Sequence, residues 1–107
     1  MSEIYMICAT LDSIPCIDPG PGSPFKIGLS DNPDARLRAL QTASPFSLFL
    51  RATWPFASRV SAMDFESACH SRLSAWGLTG EWFFGDISEA EMIVDQIFYE
   101  TFPMGLP

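Results

Sequence analysis

The sequence predicts a small α+β fold: a three-stranded, mainly antiparallel sheet flanked by about three helices. Three observations carry this. The chain has 107 residues, enough for one hydrophobic core and too few for two. Apolar residues make up 48% of it and aromatics 13%, a composition that packs rather than staying disordered. Apolar runs rich in strand formers alternate with stretches of helical period, in the order strand, strand, helix, strand, helix, short strand, helix.

Glu3 to Leu11 (EIYMICATL) is apolar and β-prone, and reads as a buried strand. Asp12 to Pro24 holds four prolines and two glycines, so no regular element survives there and a loop is expected. Phe25 to Leu29 (FKIGL) is a second short strand, closing a wide hairpin. Asn32-Pro33 starts a helix: Asn32 caps it, and proline fits the first helical position, where its missing N–H costs nothing. That helix runs to about Thr42, and Ala43-Ser44-Pro45 stops it. Phe46 to Trp54 is a third strand, ended by Pro55. Ser58 to Trp76 is the longest helix, with Ala62, Phe65, Cys69, Leu73 and Trp76 forming its apolar face and Gly77 ending it. Gly80 to Phe84 is a short extended piece. Ser88 caps a last helix with Glu91 three residues on, and Ile93, Ile97 and Phe98 make its apolar stripe. The organisation is one domain over residues 1–107: a core at 1–84, an acidic helix at 85–102 and a tail at 103–107.

Thirteen acids face six bases, for a formal charge of −7. That balance disfavours general nucleic-acid coating, where affinity comes from basic side chains on phosphates. The charge is not evenly spread. Residues 81–107 hold Glu81, Asp86, Glu89, Glu91, Asp95 and Glu100 and no lysine or arginine, whereas residues 1–80 hold all six bases and the other seven acids. A nearly neutral core therefore leaves room for a local phosphate pocket. The acidic last helix is instead the face on which a basic protein partner is expected, at Glu89, Glu91, Asp95 and Glu100. The N-terminus lacks the positive stretch of a secretory signal, and no apolar run approaches the roughly 20 residues of a membrane span. Cys8, Cys16 and Cys69 lack metal-type spacing, and the adjacent Cys69-His70 has no CxxC or HxxxH partner for zinc. A cytoplasmic protein with reduced thiols and no membrane association is the expectation.

Four polar positions interrupt apolar elements: Tyr5 in the first strand, Lys26 in the second, Arg36 in the first helix, and Glu66 in the long helix with His70 one turn later. Singly, each has a plain structural role. A strand tyrosine is usually amphipathic core, a strand-edge lysine a solvated charge, a helix arginine a surface group, and an i, i+4 Glu–His pair a surface hydrogen bond.

Together they resemble the GIY-YIG nuclease superfamily, in its phage-type and meiotically-up-regulated-gene branch. Glu3-Ile4-Tyr5 stands at the Gly-Ile-Tyr motif and Lys26-Ile27-Gly28 at the second motif. Asn32-Pro33-Asp34-Ala35-Arg36-Leu37-Arg38-Ala39-Leu40-Gln41-Thr42 resembles its first helix. Phe65-Glu66 with His70 resembles its second, and Gly80-Glu81-Trp82-Phe83 its ending. The likeness covers about residues 3 to 84. Two departures stand out: Glu3 replaces a glycine, and the Asp12–Pro24 loop lengthens the hairpin.

The resemblance implies divalent-metal-dependent hydrolysis of phosphodiester bonds in DNA. Tyr5 would contact or deprotonate the attacking water. Its ordinary pKa near 10 calls for a nearby cation, and Lys26 is the expected one. Lys26 and Arg36 would bind phosphate, for which the planar guanidinium fork is suited. Glu66 would be the single protein ligand of Mg2+ or Mn2+, and His70 would orient that carboxylate or touch phosphate rather than ligate. Trp82 and Phe83 read as core, and Glu81 gains no definite role. Asp64 and Glu66, at i and i+2 on a helix, point apart and do not form a metal pair. The alternative is a weakly active or inactive binding module on the same fold, of phage or mobile-element origin. An anti-defence inhibitor that sets its acidic face on a basic host protein is one such module.

Overall fold

The computed structural model describes residues 2–10, 22–78 and 80–101. Of the loop expected over Asp12–Pro24, residues 12–21 lie outside these residues, as does the tail at 103–107, while Ser23 and Pro24 belong to a strand and not to the loop. The elements follow in the order β1 (Ser2–Thr10), β2 (Ser23–Ser30), α1 (Pro33–Thr42), β3 (Ser47–Phe56), α2 (Arg59–Arg72), β4 (Trp82–Gly85) and α3 (Ile87–Thr101). A 3₁₀ turn at Ser74–Trp76 follows α2.

The α+β class holds, with one strand more than expected. The sheet is four-stranded and antiparallel, in the order β3-β1-β2-β4. The extended Gly80–Phe84 piece supplies β4, whose Trp82–Gly85 pairs with Ser23–Lys26 of β2. Pro55 does not end β3, which runs on to Phe56 with Glu3 opposite Pro55. β3 is an edge strand, where a residue without an N–H costs no ladder bond.

Alternation along β1 divides the interior. Ile4, Met6 and Cys8 face the main core with Ala62, Phe65 and Cys69 of α2 and Ala90, Val94 and Ile97 of α3. Tyr5, Ile7 and Ala9 face the other way, into a smaller cluster under Leu37 and Leu40 of α1. The apolar face expected for the long helix is therefore used, although the α-helix proper ends at Arg72 and Trp76 belongs to the 3₁₀ turn.

Caps fix the helix starts. Asn32 accepts the Ala35 N–H at 3.1 Å, as expected. Ser58 accepts the Ser61 N–H at 3.4 Å. For α3 the cap is Asp86, whose carboxylate accepts the Glu89 N–H at 2.9 Å, and not Ser88. Ser88 and Glu91 turn instead toward Arg51 of β3. Met6 pairs with Ala52 and Ile7 with Leu50, so Arg51 is the extra residue of a bulge. The bulged arginine thus takes up the side chains expected to form the capping box.

Cys69 is a free, buried thiol, but Cys8 is disulfide-bonded. The expectation of reduced thiols therefore fails at Cys8. Sequence spacing does not report whether two sulfurs meet in bonding geometry. Among the described residues no helix is long and apolar enough to cross a membrane.

Candidate functional site

The site forms where the sheet leaves an edge open. β4 covers β2 only as far as Lys26, so among the described residues Ile27–Ser30 run on without a strand on that side. A polar pocket of about 520 Å³ opens here, lined by Tyr5, Leu29, Ser30, Asp31, Arg36, Arg59, Met63, Glu66 and Glu81. Tyr5, Arg36 and Glu66 thus arrive from β1, α1 and α2 at one cavity. Arg59 and Asp31, a pair 3.7 Å apart, were not singled out in the sequence, where each reads as a surface charge at an element's end.

Tyr5 is almost fully buried, 1% exposed, and sits opposite Gly28 in the β1–β2 register. The pairing explains the glycine. A Cβ at Gly28 would come within 2.6 Å of the Tyr5 Cζ and closer still to its hydroxyl. The bare backbone lets the ring lie across β2. Burial holds the Tyr5 phenol above its ordinary 10.0, although Arg36 hydrogen-bonds it and its charge pulls the other way. Arg36, rather than Lys26, is the cation that touches Tyr5.

Lys26 does not line the pocket. It is buried, and its Nζ donates to Glu81 Oε1 at 3.1 Å. The register sets this up, because Lys26 pairs with Trp82 and Glu81 is the residue before it. The turn into β4 needs Gly80 at φ +69°, a left-handed conformation that L side chains rarely adopt. The Gly-Glu-Trp-Phe stretch therefore delivers a carboxylate to the pocket, which is the role that sequence reasoning missed for Glu81.

His70 also stays outside the lining but joins the site through its acids. One ligand atom each of Glu66, His70 and Glu81 lies within 4.8 Å of the others. The His70 Nε2–H donates to the Ile27 carbonyl at 2.8 Å, and its ring stands edge-on to Phe83 at 5.2 Å. The Glu66 carboxyl is raised above its ordinary 4.5, first by burial and then by the charge of Glu81, with His70, Lys26 and Arg59 opposing. Three residues could therefore hold a divalent cation where one was expected.

The acids of α3 are placed differently. Glu91 Oε1 lies 2.7 Å from Arg51 Nε. Asp95 accepts the Trp54 Nε1–H at 2.8 Å. Glu100 lies 3.6 Å from Arg72. Three of the four acids expected to meet a basic partner thus find groups within the chain itself.

No curated protein and no solved structure gives a match to the chain. A family model does: that of the T5orf172 domain matches residues 4–98, which includes Tyr5, Lys26, Arg36, Glu66, His70 and Glu81. The chain therefore belongs to the T5orf172 domain family, a phage-associated domain related to nuclease-type folds.

Proposed function

We propose that the protein is a divalent-metal-dependent endonuclease that hydrolyses phosphodiester bonds in DNA. The observation that carries this is the convergence of Tyr5, Arg36 and Glu66, from three separate elements, on one polar pocket. Phosphodiester hydrolysis asks for a bound phosphate, an oriented water and local positive charge. Arg36 supplies a planar fork for the phosphate oxygens, and Arg59 adds a second cation at the same pocket. Tyr5 keeps its proton at neutral pH, because burial outweighs Arg36, so its hydroxyl positions the water rather than serving as a free base. Lys26 reaches phosphate only after leaving Glu81. Glu66 anchors Mg2+ or Mn2+, and the half-buried carboxylate beside a second acid fits such an ion. When bound, the ion supplies Lewis-acid charge at the phosphate and lowers the pKa of water.

Supercoiled plasmid incubated with Mg2+ or Mn2+ tests the reading. Nicking or cleavage is expected from the native chain and not from Glu66→Gln or Arg36→Ala. Equal cleavage by folded Glu66→Gln overturns it. The binding-module alternative on the acidic helix draws no support from α3, whose acids Glu91, Asp95 and Glu100 contact Arg51, Trp54 and Arg72.

A further inference from the structure

We propose that Glu81 and His70 join Glu66 as ligands of one first-row transition ion of the manganese-to-zinc class, and that Lys26 competes with that ion for Glu81. This rests on the reading of the pocket as a metal-assisted phosphodiesterase, and extends its ligand set from one carboxylate to three side chains.

Geometry comes first. The three ligand atoms lie within 4.8 Å of one another. Neighbouring ligands of one such ion stand about 3.0–3.4 Å apart and only an opposite pair about 4.2 Å, so binding asks the three atoms to close by up to about 1–2 Å. Glu81 can provide most of it, because its side chain is 52% exposed and, among the described residues, is held by the 3.1 Å bond to Lys26. Glu66 and His70 share one side of α2 at i and i+4, and Glu81 enters from the turn before β4. The set is therefore held by two separate elements.

The chemistry points the same way. Glu66 and Glu81 are like charges brought together, and they repel. A cation between them removes that repulsion. Lys26 compensates Glu81, to which it is paired at 3.1 Å. The imidazole is already oriented, since its Nε2–H is committed to the Ile27 carbonyl, which leaves Nδ1 as the nitrogen to ligate. A ring N–H fixed on a carbonyl is the usual support of a ligating histidine. Imidazole also sets the metal class. Mg2+ and Ca2+ take oxygen ligands, whereas a nitrogen with two carboxylates favours a transition ion.

The test is calorimetric titration of the metal-free full chain with Mn2+ and with Mg2+, without DNA. Native protein should bind Mn2+ at least about tenfold more tightly than Mg2+. Glu81→Gln and His70→Ala should each weaken Mn2+ binding by about tenfold or more, with circular dichroism confirming that both fold. Lys26→Met should tighten Mn2+ binding, and that gain should vanish in the Glu81→Gln background. Native-like Mn2+ affinity in folded Glu81→Gln, with binding lost in Glu66→Gln, overturns the three-ligand set and leaves the single-carboxylate reading standing. No Mn2+ binding by the native chain overturns both. An undiminished Lys26→Met gain in the Glu81→Gln background overturns the competition.

Discussion

Gly28→Ala tests the link between a strand glycine and the position of Tyr5. The added Cβ would lie 2.6 Å from the Tyr5 Cζ and 3.2 Å from Cε2, with the hydroxyl nearer still. The ring has no room to retreat, because Tyr5 is 1% exposed and packs with Ile7, Ala9 and Leu48. Overpacking of this kind costs about 1–3 kcal/mol. At about 4 °C per kcal/mol for a domain of this size, the melting temperature should fall by about 4–12 °C. Thermal melts followed by circular dichroism measure it. The double variant is the sharper test. Tyr5→Leu removes the ring, so Gly28→Ala added to it should cost little, and the two changes should couple by more than about 1 kcal/mol. Additive costs, or an unchanged melting temperature in Gly28→Ala alone, would refute the close-approach account. If the account holds, plasmid cleavage by Gly28→Ala should fall too, because the displaced hydroxyl leaves Arg36.

Three further outcomes are expected. Glu66 has a folded-state pKa above its ordinary 4.5, so the folded chain holds that proton more tightly than the unfolded chain does. Stability is therefore greatest below the unfolded value and declines as pH rises through the folded one. Glu66→Gln should accordingly raise the melting temperature near neutral pH and lose that advantage below pH 4.5; a lowered melting temperature near neutrality would contradict it. Asp86→Ala should cost about 0.5–2 kcal/mol as the loss of a helix cap, and Ser88→Ala less than half as much, in urea unfolding; the reverse ranking would restore Ser88 as the cap. Burial, with Glu66's charge second, pushes the Cys69 thiol up to about 12, so iodoacetamide at about pH 8 should modify it only in denaturant. Prompt native-state labelling would show that the core around α2 opens.

The sequence located most elements because their signals were local and unopposed. Asn32-Pro33, Ser58 and the spacing of Ala62, Phe65 and Cys69 each meet the need of one helix, and the helices form there. Errors fell where a local signal depended on a distant neighbour. Pro55 stops a strand in most settings, yet β3 is an edge and tolerates it. Ser88-x-x-Glu91 reads as a capping box, yet the bulged Arg51 draws both side chains away.

By itself, the sequence determined the α+β class, the order of elements and the set Tyr5, Lys26, Arg36, Glu66 and His70 as residues out of keeping with their apolar surroundings. Periodicity, caps and motif order are properties of neighbouring residues, and a one-dimensional reading can hold them. Only the tertiary structure decided which of these residues meet. It set Arg36 rather than Lys26 against Tyr5, tied Lys26 to Glu81, and brought Glu81 to Glu66 and His70. The reason is the register of β4 on β2. Pairing Trp82 with Lys26 both carries Glu81 into the pocket and ends soon enough to leave Ile27 for His70. A register between strands more than fifty residues apart is a long-range choice, made by the packing of whole elements rather than by any segment of the chain.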